Sequence, residues 1–124
     1  MAIEARKNSY SPYSKYEVGA AVLAESGKIY TGCNIENAAY GSTICAERTA
    51  MVKAVSEGER RFRAIAIVGA PKGEPLLSLC PPCGACRQFM AEFGDGSLEL
   101  IFGSGENDIS VYTLDDFLPY RFDL

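Results

Sequence analysis

A continuous apolar run in the middle of the chain, Ala64–Gly69 (AIAIVG), constrains the fold more than any other feature of the sequence. A short run of this kind favours a strand that is buried on both faces. Helical patterns lie on either side of it, since Cys45–Glu57 places its apolar residues at helical spacing and a second such pattern begins near Cys83 and ends at Gly94. A strand between two helices predicts an α/β domain whose helices pack on a central sheet.

The ends of the predicted elements are marked by capping and turn residues. Ser42 and Thr43 are the candidate caps of the helix over Cys45–Glu57, and Gly58 is expected to end it. No linker, repeat or low-complexity segment divides the chain, so residues 1–124 are expected to form a single domain. The other predicted elements are a hairpin of strands Val18–Ala24 and Lys28–Cys33, strands Leu98–Phe102 and Ile109–Tyr112, and a short helix Thr113–Leu118 that Pro119 ends.

The composition of the chain excludes several classes of protein. There are 12 Lys+Arg against 16 Asp+Glu and no basic cluster, so we do not expect nucleic acid as a partner. The chain has no His, which excludes Ser-His-Asp catalysis, Cys-His catalysis and histidine-ligated metals. No apolar stretch reaches the length of a signal peptide or a membrane span, so we expect no membrane association and a cytoplasmic location.

Three of the five cysteines lie where the two central helices are predicted to begin. Cys45 is followed two residues later by Glu47, and Cys83 and Cys86 have the C-x-x-C spacing. The unpaired N–H groups and the dipole of a helix N-terminus favour thiolate over thiol. Three such thiolates predict one Zn²⁺ per chain with an open fourth position, which is typical of a catalytic site. Glu47, which is not needed as a ligand, is then placed to transfer protons.

Other functions remain open for the same cysteines. A dithiol oxidoreductase would use Cys83 and Cys86 alone. A zinc-binding interaction module would need a fourth protein ligand, such as Cys80 or Cys33. Neither of these two residues precedes a helix start, so we interpret both as small, buried apolar residues.

Arg48 is expected to offset the charge of the zinc site. Three thiolates and one Zn²⁺ carry a formal charge of 2 − 3 = −1, which weakens the metal as a Lewis acid. A guanidinium that donates a hydrogen bond to a ligating sulfur would withdraw part of that charge, as would the two helix N-termini. A surface ion pair is the alternative role for Arg48.

Four segments carry a longer pattern than the cysteines alone: Ser11–Ala21 (SPYSKYEVGAA), Gly32–Tyr40 (GCNIENAAY), Thr43–Ala50 (TICAERTA) and Pro82–Gln88 (PCGACRQ). Together they resemble the small homo-oligomeric zinc-dependent cytidine deaminases over nearly the whole chain. The resemblance implies a three-layer α/β/α fold with a central five-stranded mixed sheet. It also implies hydrolysis of cytidine and deoxycytidine in pyrimidine salvage, by a homotetramer whose active sites are shared between subunits. A deaminase of an aminonucleoside antibiotic would share the zinc centre and remains an alternative.

The resemblance further implies roles for single residues. Glu47 would be the catalytic proton carrier, and Asn34 and Glu36 would hold a ribose hydroxyl. An amide and a carboxylate two positions apart at a strand end share one face and offer both a donor and an acceptor. The zinc ligands would be Cys45, Cys83 and Cys86.

Aromatic residues complete the implied substrate site. Tyr16 stands where the family has Phe beside the base or sugar, and its hydroxyl requires a partner or water. Tyr40 and Phe122 resemble aromatic residues that reach the pocket of a neighbouring subunit. Ala46, at the start of the first central helix, is assigned to the substrate site with them. The family's Leu-Pro-Gly-Ala-Phe segment is Leu118–Phe122 here, with Tyr and Arg in place of Gly and Ala.

Overall fold

The computed structural model describes all 124 residues, Met1–Leu124. Its main helices and strands follow the predicted order, with one short helix before the first strand. None of the helices has the length and hydropathy that a membrane span requires. In chain order the elements are α1 (Ala2–Arg6), β1 (Tyr16–Ala24), β2 (Ile29–Cys33), a 3-10 turn (Tyr40–Ser42), α2 (Ala46–Ser56), β3 (Phe62–Pro71), α3 (Gly84–Phe93), β4 (Glu99–Gly105), β5 (Asp108–Thr113) and α4 (Leu114–Phe117).

The five strands form one mixed sheet in the order β2-β1-β3-β4-β5, which confirms the predicted α/β class. β1 is antiparallel to both β2 and β3, so β2 and β3 run in the same direction although they are not neighbours. β3 and β4 are parallel neighbours, and β5 is antiparallel to β4. α2 and α3 therefore each connect two strands that run in the same direction, and their N-termini lie at the same edge of the sheet.

Two glycines show that helices cover both faces of the sheet. A Cβ on Gly19 of β1 would overlap the carbonyl oxygen of Ala2 in α1, and a Cβ on Gly32 of β2 would overlap the backbone nitrogen of Ala50 in α2. Gly32 pairs with Ala20, the neighbour of Gly19, and successive residues of a strand face opposite ways. α1 and α2 therefore lie on opposite faces, as the three-layer prediction requires.

The main core lies between the sheet and the layer of α2 and α3. Met51 of α2 and Met90 of α3 are fully buried against Ile65, Ile67 and Phe102 of the central strands. Burial of one such side chain stabilises the fold by about 1.5–3 kcal/mol. β3 is buried along most of its length, as its apolar run predicts, because it is the middle strand of the sheet.

The predicted caps of α2 are wrong. Ser42 and Thr43 lie at the end of the 3-10 turn, and the N-cap residue of α2 is Cys45. The reason is a pair of backbone hydrogen bonds between Ile44 and Ile35, both 2.9 Å long, which keeps the chain extended up to the cysteine.

Candidate active site

The N-termini of α2 and α3 meet beyond the carboxyl ends of β2 and β3. Cys45 is the N-cap residue of α2, and Cys83 is the N-cap residue of α3. Neither side chain makes a capping hydrogen bond to its own helix, although this is the usual role of a polar N-cap side chain. Both sulfur atoms are therefore free to face a common ligand.

The thiols of Cys45, Cys83 and Cys86 form a cluster that fits one Zn²⁺ per chain. The Sγ atom of Cys83 lies 3.6 Å from that of Cys45 and 3.3 Å from that of Cys86, and all three lie within 4.8 Å of one another. Sulfur ligands of a tetrahedral zinc are about 3.8 Å apart, since each Zn–S bond is about 2.3 Å. A set of soft thiolate ligands suits zinc. Neither Cys33 nor Cys80 belongs to the cluster, so three protein ligands leave one position open.

Arg48 lies against the thiol cluster. Its Nη2 donates to Cys45 Sγ at 3.6 Å and to the Thr43 carbonyl oxygen at 3.4 Å, and its Nε is buried without a partner. None of the four ion pairs in the chain involves Arg48, which argues against the alternative of a surface ion pair. Hydrogen bonds from Cys86 and from Arg48 lower the pKa of the Cys45 thiol to about 5, and Cys45 and burial together raise the pKa of Cys86. The cluster thus favours a thiolate on Cys45 and a proton on Cys86.

Glu47 is buried beside the cluster, with only 4% of its surface exposed. Burial raises the pKa of its carboxyl group to about 7, and the neighbouring Cys45 has a smaller effect in the same direction. A carboxyl group with a pKa near neutrality can both accept and release a proton at the same pH. Glu47 therefore has the electrostatic setting of a general acid and base.

A pocket of about 330 Å³ opens in front of the thiols. This volume is within the range of sites for small molecules, which is about 300–1,000 Å³. None of the ten lining residues is Lys or Arg, so the walls offer no cation to an anionic ligand. The lining residues are Tyr16, Val18, Asn34, Thr43, Cys45, Ala46, Glu47, Cys80, Pro81 and Cys83.

A second cavity of about 280 Å³ lies between α1 and the opposite face of the sheet. Its eight lining residues are all hydrophobic and include none of the cysteines. A cavity without polar groups has no means of catalysing a reaction, so this cavity is not a candidate active site.

Asn34 lies just beyond β2, and its side chain reaches the pocket. It is 8% exposed, whereas the next residue, Ile35, is 43% exposed. Its Nδ2 donates to the Tyr16 carbonyl oxygen at 2.8 Å, and its Oδ1 accepts from the Val18 N–H at 3.0 Å and from the Ser9 hydroxyl. The amide thus fastens the end of β2 to the start of β1 and has one N–H left for a ligand.

Glu36 points to the same side of the chain as Asn34 and is 7% exposed, but it does not line the pocket within this chain. Its Oε1 accepts from the backbone N–H groups of Tyr13 and Ser14 at 3.0 and 3.1 Å. Hydrogen bonds from Ser14 and Tyr13 hold the pKa of Glu36 below its usual range, so the carboxylate stays ionised. The structure therefore brings Asn34 and Glu36 to one edge of the sheet and only Asn34 into the pocket.

The other predicted substrate residues divide into two groups. Tyr16 and Ala46 line the pocket, whereas Tyr40 and Phe122 are each 69% exposed and lie outside it. Tyr40 makes an edge-to-face contact with Tyr13, with 6.2 Å between the ring centroids. Tyr40 and Phe122 leave large aromatic surfaces available to another molecule.

The segment before Phe122 is held by its backbone. The Phe122 carbonyl oxygen accepts from Gln88 Nε2 of α3 at 2.9 Å. Tyr120, where the resembling family has Gly, has a φ of +53°, which is the left-handed region that glycine adopts most readily. Tyr120 therefore adopts a backbone conformation that a non-glycine residue seldom takes.

Four pocket residues were not predicted as site residues: Val18, Thr43, Cys80 and Pro81. Val18 could have been found, because it lies two positions from Tyr16 on the same face of β1. The interpretation of Cys80 as a small, buried apolar residue is wrong, because Cys80 is half-buried and lines the pocket. Its role depends on the path of an irregular segment, which sequence periodicity does not describe.

Comparison with known proteins gives the same family from sequence and from structure. Residues 1–102 match the family model of the cytidine and deoxycytidylate deaminase zinc-binding region. A protein named cytidine deaminase from Sporosarcina psychrophila is 52% identical over 119 residues, which cover 96% of this chain and 84% of that protein. A protein of the same name from Halalkalibacterium halodurans is 49% identical over 121 residues, which cover 98% of this chain and 88% of that protein. The crystal structure of cytidine deaminase from Burkholderia pseudomallei has a TM-score of 0.85 and 45% identity, covering 98% of this chain and 93% of that one. This chain belongs to the cytidine and deoxycytidylate deaminase zinc-binding family.

Proposed function

We propose that this protein is a zinc-dependent cytidine deaminase that hydrolyses cytidine and deoxycytidine to uridine and deoxyuridine in pyrimidine salvage. The observation that carries the proposal is a buried carboxyl group, Glu47, beside a cluster of three thiols, two of which line a small-molecule pocket with Glu47. Cytidine deaminases that are about half identical over nearly the whole chain support the same reaction.

Cys45, Cys83 and Cys86 would hold the metal, and Arg48 would offset the negative charge of their thiolates. When bound, Zn²⁺ supplies Lewis acidity that makes water nucleophilic at neutral pH. The pocket residues position the base so that its C4 faces the thiol cluster and Glu47.

Glu47 would carry every proton that the reaction moves. Hydrolysis consumes one water and releases one ammonia, so both protons of the attacking water must move: N3 gains one and the departing amino group gains the other. Because the pKa of Glu47 is about 7, its carboxyl group can take the first proton and deliver it to the base without a large energetic cost. Apolar walls around it keep bulk water from competing for these protons.

The substrate would be an uncharged nucleoside. The pocket has no Lys or Arg, so a 5′-phosphate would lose its hydration without gaining a cation. The remaining N–H of Asn34 and the Oε2 atom of Glu36 are suited to a ribose hydroxyl, because Glu36 uses Oε1 for backbone contacts. Tyr16 and Ala46 would contact the base or sugar.

We further propose that residues 1–124 act as one domain and assemble as a homotetramer with shared active sites. A single buried cluster draws on four of the five strands and on three helices, which supports one domain. Exposed Tyr40 and Phe122 would enter the pockets of neighbouring subunits. The five free thiols suit a reducing compartment, so the cytoplasm is the proposed location.

An absorbance assay with four substrates tests this function. Cytidine and deoxycytidine should lose the cytosine absorbance with release of one ammonia per nucleoside, whereas deoxycytidylate should have a kcat/KM at least about tenfold lower. Conversion of an aminonucleoside antibiotic in place of cytidine would favour the antibiotic deaminase. Purified protein without zinc that reduces disulfides through Cys83 and Cys86 would instead be an oxidoreductase.

A further inference from the structure

The hydroxyl group of Tyr16 has a partner beside it in the pocket wall. It lies 3.9 Å from the Sγ atom of Cys80, and both residues line the pocket. Burial and the proximity of Cys80 raise the pKa of Tyr16 to about 12, so the hydroxyl keeps its proton and remains a donor. A phenylalanine at this position would keep the aromatic ring but could not make this contact, because it has no hydroxyl group.

Gly69 of β3 provides the space in which the two side chains meet. A Cβ at this position would lie 2.7 Å from Cys80 Sγ and 3.3 Å from Tyr16 Cε1. Gly69 pairs with Val18 in regular strand geometry, so it is needed for space and not for an unusual backbone conformation. Tyr16 and Cys80 therefore pack on each other over a position that has no side chain.

Cys80 belongs to an irregular segment, Leu77–Pro81, which we call the strap. The strap is fastened at its start, where the Leu77 N–H donates to the Gly69 carbonyl oxygen at 3.0 Å and the Ser78 hydroxyl donates to Asp108 Oδ2 at 2.7 Å. From Leu79 to Pro81 the contact between Tyr16 and Cys80 is the only hydrogen bond of the strap. The next residue, Pro82, is fully buried and its carbonyl oxygen accepts from Arg87 Nε at 2.8 Å, so the strap is anchored at both ends. The contact between Tyr16 and Cys80 holds the part between these anchors against the pocket.

We propose that Tyr16 and Cys80 are a coupled pair of positioning residues that hold the strap against the pocket and so set the affinity for the nucleoside. The inference rests on the proposed nucleoside deamination and adds to it a contact in this chain that the reaction does not require. Substitution of either residue removes the same contact, so the effects of the two substitutions on nucleoside affinity should not be additive. Glu47 and the three thiols lie on other elements, so substrate affinity should change more than turnover.

Kinetics and product binding test the coupling. For Tyr16→Phe and for Cys80→Ala we expect KM for cytidine, and Kd for uridine measured by calorimetry, to rise about fivefold with kcat within about twofold, which is the range for one lost hydrogen bond. In the double variant KM and Kd should also rise only about fivefold. A rise of about 25-fold in the double variant, or no rise in Tyr16→Phe, would overturn the proposal. Cys33→Ala is the matched control, since Cys33 is another half-buried thiol outside the cluster, and zinc content and Tm are measured on every sample.

Thiol labelling separates this proposal from the proposed function. In zinc-loaded protein, Tyr16→Phe should speed alkylation of Cys80 by N-ethylmaleimide about fivefold and leave Cys33 unchanged, as followed by peptide mass mapping. Unchanged labelling of Cys80 would reject the pair whatever the kinetics. A wild-type protein that binds uridine through the pair but does not convert cytidine would support the pair and reject the deaminase.

Discussion

The guanidinium group of Arg48 lies 3.6 Å from the Sγ atom of Cys45, the residue that caps α2. This contact places a permanent positive charge beside a cluster of three thiols. The positive ends of two helix dipoles, at the N-termini of α2 and α3, lie at the same place. A thiolate site without histidine gains its neutralising charge from such neighbours. The arrangement predicts that Arg48 acts on the affinity of the site for its metal.

Arg48→Gln should weaken zinc binding about 10- to 100-fold, which is the usual effect of losing an outer partner of a metal ligand. Arg48→Lys should recover part of the loss, because an ammonium supplies the charge but is more strongly hydrated than the guanidinium group whose Nη2 contacts Cys45 and the Thr43 carbonyl oxygen. Competition with a chromogenic chelator measures the affinity. Equal affinities for wild type and Arg48→Gln would leave charge compensation to the helix N-termini alone.

Cysteine substitutions should divide into two classes. Cys45→Ala, Cys83→Ala and Cys86→Ala should each lose zinc and activity, because two thiolates are too few to retain the metal. Cys33→Ala and Cys80→Ala should keep one zinc per chain, since neither thiol belongs to the cluster. Metal content by mass spectrometry is the measurement. Loss of zinc from Cys80→Ala with retention in Cys45→Ala would reverse the assignment.

Glu47→Gln should keep zinc and still bind uridine, because the amide has nearly the size of the carboxyl group. Its kcat for cytidine should fall by about 10³-fold or more, since the group that carries the protons is lost. Single-turnover assays with the zinc content of each sample give the comparison. A kcat close to that of the wild type would assign the proton transfer to another residue.

Most of the fold follows from patterns that are local in the sequence. The run Ala64–Gly69 predicts the central strand, and the structure extends it to Phe62–Pro71 because antiparallel pairing with β1 continues on both sides. The start of α2 could not be placed in the same way. Its cap depends on the pairing of Ile44 with Ile35, and a contact between two loop residues leaves no periodic signal.

The thiols and Glu47 could be predicted because each belongs to a short motif at a helix start. Asn34 and Glu36 likewise lie close together in sequence, two positions apart, but their hydrogen bonds to the backbone of Tyr13, Ser14 and β1 arise only from the folded chain. The strap was not predicted at all. An irregular segment takes its path from tertiary contacts, and here those contacts are made by Leu77, Ser78 and Cys80.

Asp108 should make the attachment of the strap depend on pH. Hydrogen bonds from Ser104 and Ser78 lower the pKa of Asp108 from its ordinary value of 3.8. Because the folded-state pKa is depressed, the stabilisation is fully present above the unfolded value and is lost as the pH falls through the folded value. The difference in Tm between wild type and Asp108→Asn should therefore be constant near neutral pH and shrink below pH 3.8.

Thermal unfolding over a series of pH values measures this difference, and zinc release on acidification affects both proteins alike. Asp123→Asn is the control, since no hydrogen bond to the Asp123 carboxylate is present in the structure. The Tm difference for Asp108→Asn could instead be as large well below pH 3.8 as at neutrality. The effect of the substitution would then not come from loss of the carboxylate charge.

Gly69→Ala should weaken nucleoside binding, because the new side chain would disturb the contact between Tyr16 and Cys80 in the pocket wall. The new Cβ would lie 2.7 Å from Cys80 Sγ, which is closer than real Cβ contacts, so Cys80 must move and its contact with Tyr16 must change. KM for cytidine should rise at least about fivefold, as for loss of the contact itself. Adding Cys80→Ala removes the atom that is displaced, so Gly69→Ala/Cys80→Ala should have no higher KM than Cys80→Ala alone. If the increases in KM from the two substitutions instead multiply, the effect of Gly69→Ala must come from distortion of β3. The Tm of Gly69→Ala should then fall, and Cys80→Ala should not restore it.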